Sequence, residues 1–269
     1  MNESVLLLCD KPASDENVRG GDFRFIKAEL PVAETQVPLT IKLLPKPISL
    51  PDIVPLARAI SDKLCSVLLS SLAAGGHSVP CSKGCCVCCR YLVSLSMPEV
   101  YRLRQELARM ESWYRMPILS SCLSAARKIL GSASVMKAKD AKGLSQWYWQ
   151  LDIECPFLHH GVCSIYAIRP LACREHFVTT PPMLCRPAGL SEPSVVSIPV
   201  SILEALGQLA AELEHREIES VMLPFVFADV DEDNVRCRRT WPADYMVERF
   251  VQILQTLASG QSADVLRPR

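Results

Sequence analysis

The feature that most constrains this chain is a run of five cysteines within nine residues. The run reads Cys81-Ser-Lys-Gly-Cys85-Cys86-Val-Cys88-Cys89. Thiolates packed this closely repel one another and compete for the same space unless something binds them. In a reducing compartment the usual binder is a soft metal ion or an iron–sulfur cluster. The run therefore predicts a metal-binding segment.

The compartment is predicted from the N-terminus, the hydropathy and the number of cysteines. The apolar stretch after Met1 is only a few residues long and has no basic leader, so it does not resemble a secretory signal. The longest apolar stretch, residues 64–74, is about half as long as a membrane span. Because 13 cysteines is an odd number, they cannot all form internal disulfides. We expect a cytoplasmic protein with no membrane partner.

A second cysteine series lies about seventy residues further along the chain. It comprises Cys155, Cys163, Cys173 and Cys185. In the first series, the two-residue gap between Cys85 and Cys88 lets both thiolates of one turn reach a single metal. Neighbours such as Cys88 and Cys89 normally diverge, which favours two different metals or one multinuclear centre. Together the two series predict metal ligation by segments that are distant in sequence.

The order of these residues resembles the YkgJ-like cysteine-cluster family, whose members are described as zinc- or iron-chelating domains. The family pattern joins a CxxCxxCC cluster to a later segment that begins CPFL and ends RPxxCR. The residues that match this later segment are Cys155-Pro156-Phe157-Leu158, Gly161, Cys163, Ile165-Tyr166, Arg169-Pro170 and Cys173-Arg174. The first cluster departs from the pattern, because three residues instead of two separate Cys81 from Cys85. The resemblance covers residues 80–186.

The resemblance implies eight metal ligands. They are Cys81, Cys85, Cys88, Cys89, Cys155, Cys163, Cys173 and Cys185. Eight thiolates can hold two zinc ions with four each, or one or two iron–sulfur clusters, and the ligand type does not separate these cofactors. Burial as a small hydrophobic residue is expected instead for Cys9, Cys65, Cys122 and Cys237. Cys86 lies between motif positions and is expected not to bind metal.

Charge is unevenly distributed along the chain. The formal net charge is zero, which gives no indication of a nucleic-acid partner. Residues 81–190 nonetheless carry 14 Lys and Arg against 7 Asp and Glu. Thiolate ligands add about one negative charge per cysteine. We therefore interpret the positive excess, Arg169 and Arg174 included, as compensation for the metal centre in preference to a patch for an acidic partner.

Hydrophobic periodicity predicts a mostly α-helical chain with minor β-structure. Alternating residues predict a short N-terminal hairpin over 23–30 and 37–43. Helical spacing covers 56–74, 97–111, 117–130, 202–218 and 243–258, and a strand is predicted over 221–230. We divide the chain into an N-terminal extension with hairpin and Pro-rich linker (1–55), a cysteine-cluster metal-binding domain (56–190) and a C-terminal helical region (191–269). The expected fold is an irregular, metal-stapled core flanked by amphipathic helices.

The sequence carries no sign of common catalytic machinery. It has 11 glycines, no Gly-rich phosphate loop after a strand, and no Ser/His/Asp arrangement or paired carboxylates. We expect a metal-binding protein in preference to an enzyme, with flanking helices available for a protein partner. Two alternatives stay open. The family's cysteine cluster also occurs in flagellin lysine methylases, which allows a protein-lysine methylase-like enzyme, and an iron–sulfur centre would allow electron transfer or redox sensing.

Overall fold

The computed structural model describes residues 6–9, 23–133, 140–186, 193–228, 235–260 and 266–268. These residues form seven α-helices and eleven short strands. The prediction of a mostly helical chain with minor strands is therefore confirmed. No described helix is both long enough and apolar enough to cross a membrane.

The N-terminal sheet contains three antiparallel strands, β1 (Leu6–Cys9), β2 (Arg24–Val32) and β3 (Thr35–Leu43), with β3 in the centre. Strands β2 and β3 form the predicted hairpin, in which Val32 pairs with Thr35 across a two-residue turn. The alternating apolar residues of β3 are all buried, and they are Val37, Leu39, Ile41 and Leu43. One face of the hairpin thus covers the core, as the period-two pattern predicts.

The first long helix begins earlier than predicted. Strand β4 (Pro47–Ser49) leads directly into α1 (Leu50–Ala74), so the prolines expected to form a linker up to residue 55 partly belong to the helix. The Asp52 carboxylate accepts from the Ser49 N–H at 2.9 Å and from its hydroxyl at 2.6 Å, which forms a capping box. Pro51 lies in the first turn, where its missing N–H would have no helical partner.

Three helices connect the two cysteine series. After β5 (Ser94–Ser96) come α2 (Met97–Ala108), α3 (Ser112–Ser132) and α4 (Ala141–Gln150). The start of α2 is a capping box of Ser96 and Glu99, as the sequence predicts, and α3 begins five residues before Pro117, where we expected its start. Helix α4 was not predicted. Its start is fixed by the Asp140 carboxylate, which accepts from the Gly143 N–H at 2.7 Å. Residues 137–139, where the sequence analysis places no regular element, lie outside the described residues.

The second cysteine series and the C-terminal region complete the chain. The remaining elements are β6 (Leu158–His159), β7 (Val162–Cys163), α5 (Leu171–Arg174), β8 (Ser194–Val196), α6 (Ile202–Glu214), β9 (Ser220–Met222), β10 (Thr240–Pro242), α7 (Ala243–Gly260) and β11 (Leu266–Pro268). Helices α6 and α7 begin where the sequence predicts, but α6 ends at Glu214 instead of residue 218 and α7 continues to Gly260. The strand predicted over 221–230 is wrong beyond Met222, because Leu223–Phe225 turn into a 3₁₀ helix at a proline, and residues 229–230 are not described.

One hydrophobic core joins the N-terminal sheet, α1, α2, α6 and α7. Phe157, Ile165 and Leu171 from the second cysteine series are buried in the same core. The cysteine segments are therefore packed against the helices and are not a separate lobe. A smaller apolar cluster joins α3 to α4 through Ile129 and Tyr148.

Candidate metal centre

The first cysteine series forms an irregular loop between α1 and β5. Two consecutive turns shape it, since the Cys85 N–H donates to the Ser82 carbonyl and the Cys89 N–H to the Cys86 carbonyl, both at 3.1 Å. Gly84 has φ 99°, a backbone conformation that favours glycine. These turns place all five cysteines of the run at half-buried positions.

The second series is tied to the first through the main chain. The Cys155 N–H donates to the Cys89 carbonyl at 2.7 Å, which joins segments 66 residues apart in sequence. Beyond it, the short β6–β7 hairpin reverses at Gly161, whose φ is 76°, and returns the chain to Cys163. Helix α5 then carries Cys173. The predicted meeting of the two distant segments is thus present in the backbone.

Four thiols from the two series line one small cavity. They are Cys81, Cys85, Cys88 and Cys185, which we call the first thiol group. Burial, and after it the neighbouring thiols of Cys81 and Cys88, raise the pKa of Cys185 to about 11. His176 and Val178 also line the cavity, and the Val178 N–H donates to the Cys81 sulfur at 3.4 Å. The cavity has a volume of about 20 Å³.

The other four predicted ligands are close to one another and to Cys88. They are Cys89, Cys155, Cys163 and Cys173, which we call the second thiol group. Burial raises the pKa of Cys173 well above its usual value, and the neighbouring thiols of Cys155, Cys88 and Cys163 raise it further. Burial likewise raises the pKa of Cys155 to about 12. Such an interior favours neutral thiols over thiolates unless a cation is bound.

Cys88 and Cys89 connect the two groups. The Cys89 thiol donates to the Cys88 sulfur, which lowers the pKa of Cys88 and raises that of Cys89. Cys88 also raises the pKa of Cys81 in one group and of Cys163 in the other. The adjacent pair thus lies at the junction of two sets of four thiols.

The eight thiols are neighbours, but they do not form a finished coordination shell. Within the described ranges, no three His, Cys, Asp or Glu side chains have the geometry to hold a metal ion as they are placed. The donor chemistry nevertheless suits one, since thiolates are soft ligands for zinc and iron. The cavity of the first group also holds about one water-sized sphere, which is room for a single ion. The residues therefore fit a metal that draws the thiols together.

The remaining cysteines follow the expectation in part. Cys65 and Cys122 are buried, and burial raises the pKa of each to about 12, as befits small apolar residues. Cys9 and Cys237 are only half-buried, which corrects the prediction that they are buried. Cys86 does not line the cavity of the first group.

The two arginines expected to compensate the thiolates have different roles. The Arg169 guanidinium lies 4.1 Å from the centre of the Tyr166 ring. Burial raises the pKa of Cys163, and the Ile165 N–H and the Arg169 charge oppose part of that rise. The buried Arg174 is instead paired with the exposed Asp62 of α1, since one guanidinium nitrogen donates to both carboxylate oxygens at 2.6 Å. Arg174 therefore anchors α5 to α1, which its place in the motif did not indicate.

Two side chains that hold the site were not singled out from the sequence. The Tyr91 hydroxyl donates to the Cys185 carbonyl at 2.5 Å, and its ring meets His176 edge-on at 5.6 Å. Glu99 accepts from the Leu171 N–H at 2.8 Å, at the start of α5. Only the capping box of Glu99 was visible in the sequence, because its second partner is 72 residues away.

An open cleft of about 500 Å³ adjoins the first thiol group. Small side chains of α1, Ser66 and Ser70, form one wall, and Tyr166 and Phe177 belong to the other. Cys81 lines both this cleft and the small thiol cavity. The first thiol group is therefore accessible to solvent from this side.

Comparison with known families agrees with this geometry. Residues 80–188 match the model of a family described as "CxxCxxCC: Putative zinc- or iron-chelating domain". The predicted family resemblance is confirmed. The matched region contains both thiol groups and all eight predicted ligands. No curated protein and no solved structure matches the chain.

Proposed function

We propose that the chain binds two metal ions in two thiolate centres, each with four cysteine ligands. The first centre uses the first thiol group and the second centre uses the second thiol group. The observation that carries this proposal is the cavity lined by Cys81, Cys85, Cys88 and Cys185, which unites both cysteine series around the space of one ion. The family description supports zinc or iron as the metal.

The grouping of the eight thiols into two sets of four favours one ion in each set over a single larger cluster. Four cysteine ligands fill every position of a tetrahedral zinc ion, which makes the site structural. We therefore propose zinc in both centres, where the two ions connect distant segments of the core. We also propose a cytoplasmic, reducing compartment, in which closely spaced thiols bind metal in preference to forming disulfides.

The metal is tested by purifying the protein without oxygen, recording its visible spectrum and assaying zinc, iron and acid-labile sulfide. We expect a colourless protein with two zinc ions per chain. A brown protein with acid-labile sulfide would refute the assignment of zinc and support the iron–sulfur alternative. A natively folded protein without metal would refute the proposal.

The partition into two centres is tested with one ligand variant from each thiol group. Cys81→Ala and Cys173→Ala are each expected to retain one of the two metal ions, because each removes a ligand from one centre only. Elemental analysis of the purified variants gives the metal content. Cys9→Ala is the control and should retain both ions, since Cys9 lies in β1 and outside the matched region 80–188. Loss of both ions from either ligand variant would indicate one multinuclear centre instead.

A further inference from the structure

Helix α5, which carries Cys173, is too short to hold its own position. It contains only four residues, Leu171–Arg174, whereas isolated helices shorter than about 12–15 residues are marginal in water. Its location must therefore come from its contacts with neighbouring elements. Two carboxylates supply such contacts, the buried Glu99 at one end and the half-buried Glu175 at the other.

Glu99 fixes the start of α5. Its side chain is almost completely buried at 1% exposure. One carboxylate oxygen accepts from the Ser96 N–H at 3.2 Å and from the Ser96 hydroxyl at 3.0 Å, which begins α2. The other oxygen accepts from the Leu171 N–H at 2.8 Å. A single carboxylate thus joins the first turns of α2 and α5.

Glu175 fixes the end of α5 in the same manner. One of its carboxylate oxygens accepts from the N–H groups of Ile202 and Leu203 at 3.0 and 3.2 Å, at the start of α6. The other oxygen accepts from the Ser201 hydroxyl at 3.1 Å. Cys173 therefore lies between two carboxylates that attach its helix to α2 on one side and to α6 on the other.

We propose that Glu99 and Glu175 are positioning residues for Cys173 in the second thiolate centre. Neither carboxylate is a ligand. Each acts through the backbone of α5, which presents the Cys173 sulfur to the other three thiols of its group. The proposal rests on the two-centre function proposed above.

The chain offers a matched control for Glu99. Asp52 forms the same capping box at the start of α1, with bonds of 2.9 and 2.6 Å to Ser49. Unlike Glu99, Asp52 is exposed, and within the part of the chain that the structure describes it accepts no hydrogen bond from the cysteine segments. Asp52→Ala therefore removes a helix cap without touching α5.

The first test measures how fast each metal ion passes from the purified protein to a colorimetric chelator. In Glu99→Ala, one of the two ions is expected to leave about tenfold faster than in the wild type, because partners outside the ligand shell typically change metal affinity by 10–100-fold. In Asp52→Ala both ions should leave at the wild-type rate. The proposal would be overturned if both ions left Glu99→Ala at the same rates as they leave the wild type.

Two additions keep the test decisive. Glu99→Gln retains an oxygen that can accept from the Leu171 N–H, so this variant replaces the alanine variant if that one does not fold. In Glu99→Gln the release of the same ion should be accelerated by a smaller factor. In chains stripped of metal, Glu99→Ala should raise the alkylation rate of Cys173 by iodoacetamide about tenfold relative to Cys81, as measured by peptide mass spectrometry. An unchanged ratio would mean a purely structural role. If the purified wild type holds no metal and Glu99→Ala still changes the ratio of alkylation rates, the two-centre function is refuted and the positioning of Cys173 by Glu99 stands.

Discussion

Arg236 and Glu214 form an ion pair from which water is almost excluded. Their side chains are 9% and 2% exposed, and two bonds of 3.2 and 2.5 Å join them. Arg236 also donates to Glu219, which is more exposed. Removing one partner of a buried pair leaves a desolvated charge with fewer hydrogen bonds, which costs far more than losing an exposed pair.

We expect Glu214→Ala to lower the free energy of unfolding by about 3 kcal/mol, because Glu219 still compensates part of the Arg236 charge. Glu212 provides the control on the same helix, since its pair with Arg249 is exposed. Glu212→Ala should cost less than about 0.5 kcal/mol. Urea unfolding of both variants gives the two values. Equal costs would show that burial does not set the strength of these pairs.

Among the elements, the turns of the cysteine loop depend on backbone conformation as much as on the thiols. Gly84 adopts φ 99° directly before Cys85, and no atom outside its immediate neighbours lies within 4 Å of a Cβ built there. An alanine at this position would fit the space but would strain the backbone. The glycine is therefore required for its conformation and not for its small size.

Gly84→Ala should lower the free energy of unfolding by about 1–2 kcal/mol and weaken metal retention by the first thiol group. Gly131 is the contrasting position, since it lies inside α3 with open space at its Cβ and no positive φ. Gly131→Ala should stabilise the protein by up to about 1 kcal/mol without affecting the metal content. Thermal unfolding and elemental analysis separate the two effects. A stabilised Gly84→Ala would contradict the assignment of a strained turn.

For the whole molecule, the sequence predicts those features that have a local pattern. Alternation in β3 and helical spacing in α6 and α7 identify these elements, and the capping box of Ser96 and Glu99 identifies the start of α2. Local rules also explain the errors. Prolines suggest a linker where the first turn of α1 tolerates Pro51, and the short helix α4, which Asp140 caps, is overlooked.

In the candidate site, too, some features follow from a local sequence pattern and others do not. Cysteine spacing identifies the segments that meet, because short gaps between ligands and the family pattern are both features of the sequence. The anchoring of α5 by Glu99, Glu175 and Arg174 could not be predicted in this way, because their partners lie 72, 27 and 112 residues away. Such hydrogen bonds depend on tertiary packing, and a buried carboxylate at an ordinary helix start gives no separate signal in the sequence.

The most direct test of a two-centre metal protein is native mass spectrometry of the full chain, prepared and sprayed without oxygen. The folded chain is expected to have the mass of the polypeptide plus two metal ions, with the protons lost from ligating thiols. Treatment with a strong chelator should remove both ions and lower the temperature of thermal unfolding, because the eight thiols would then lose their metal while the hydrophobic core keeps the stripped chain folded. A compact, folded chain that already has the mass of the bare polypeptide before chelation would contradict the proposed function.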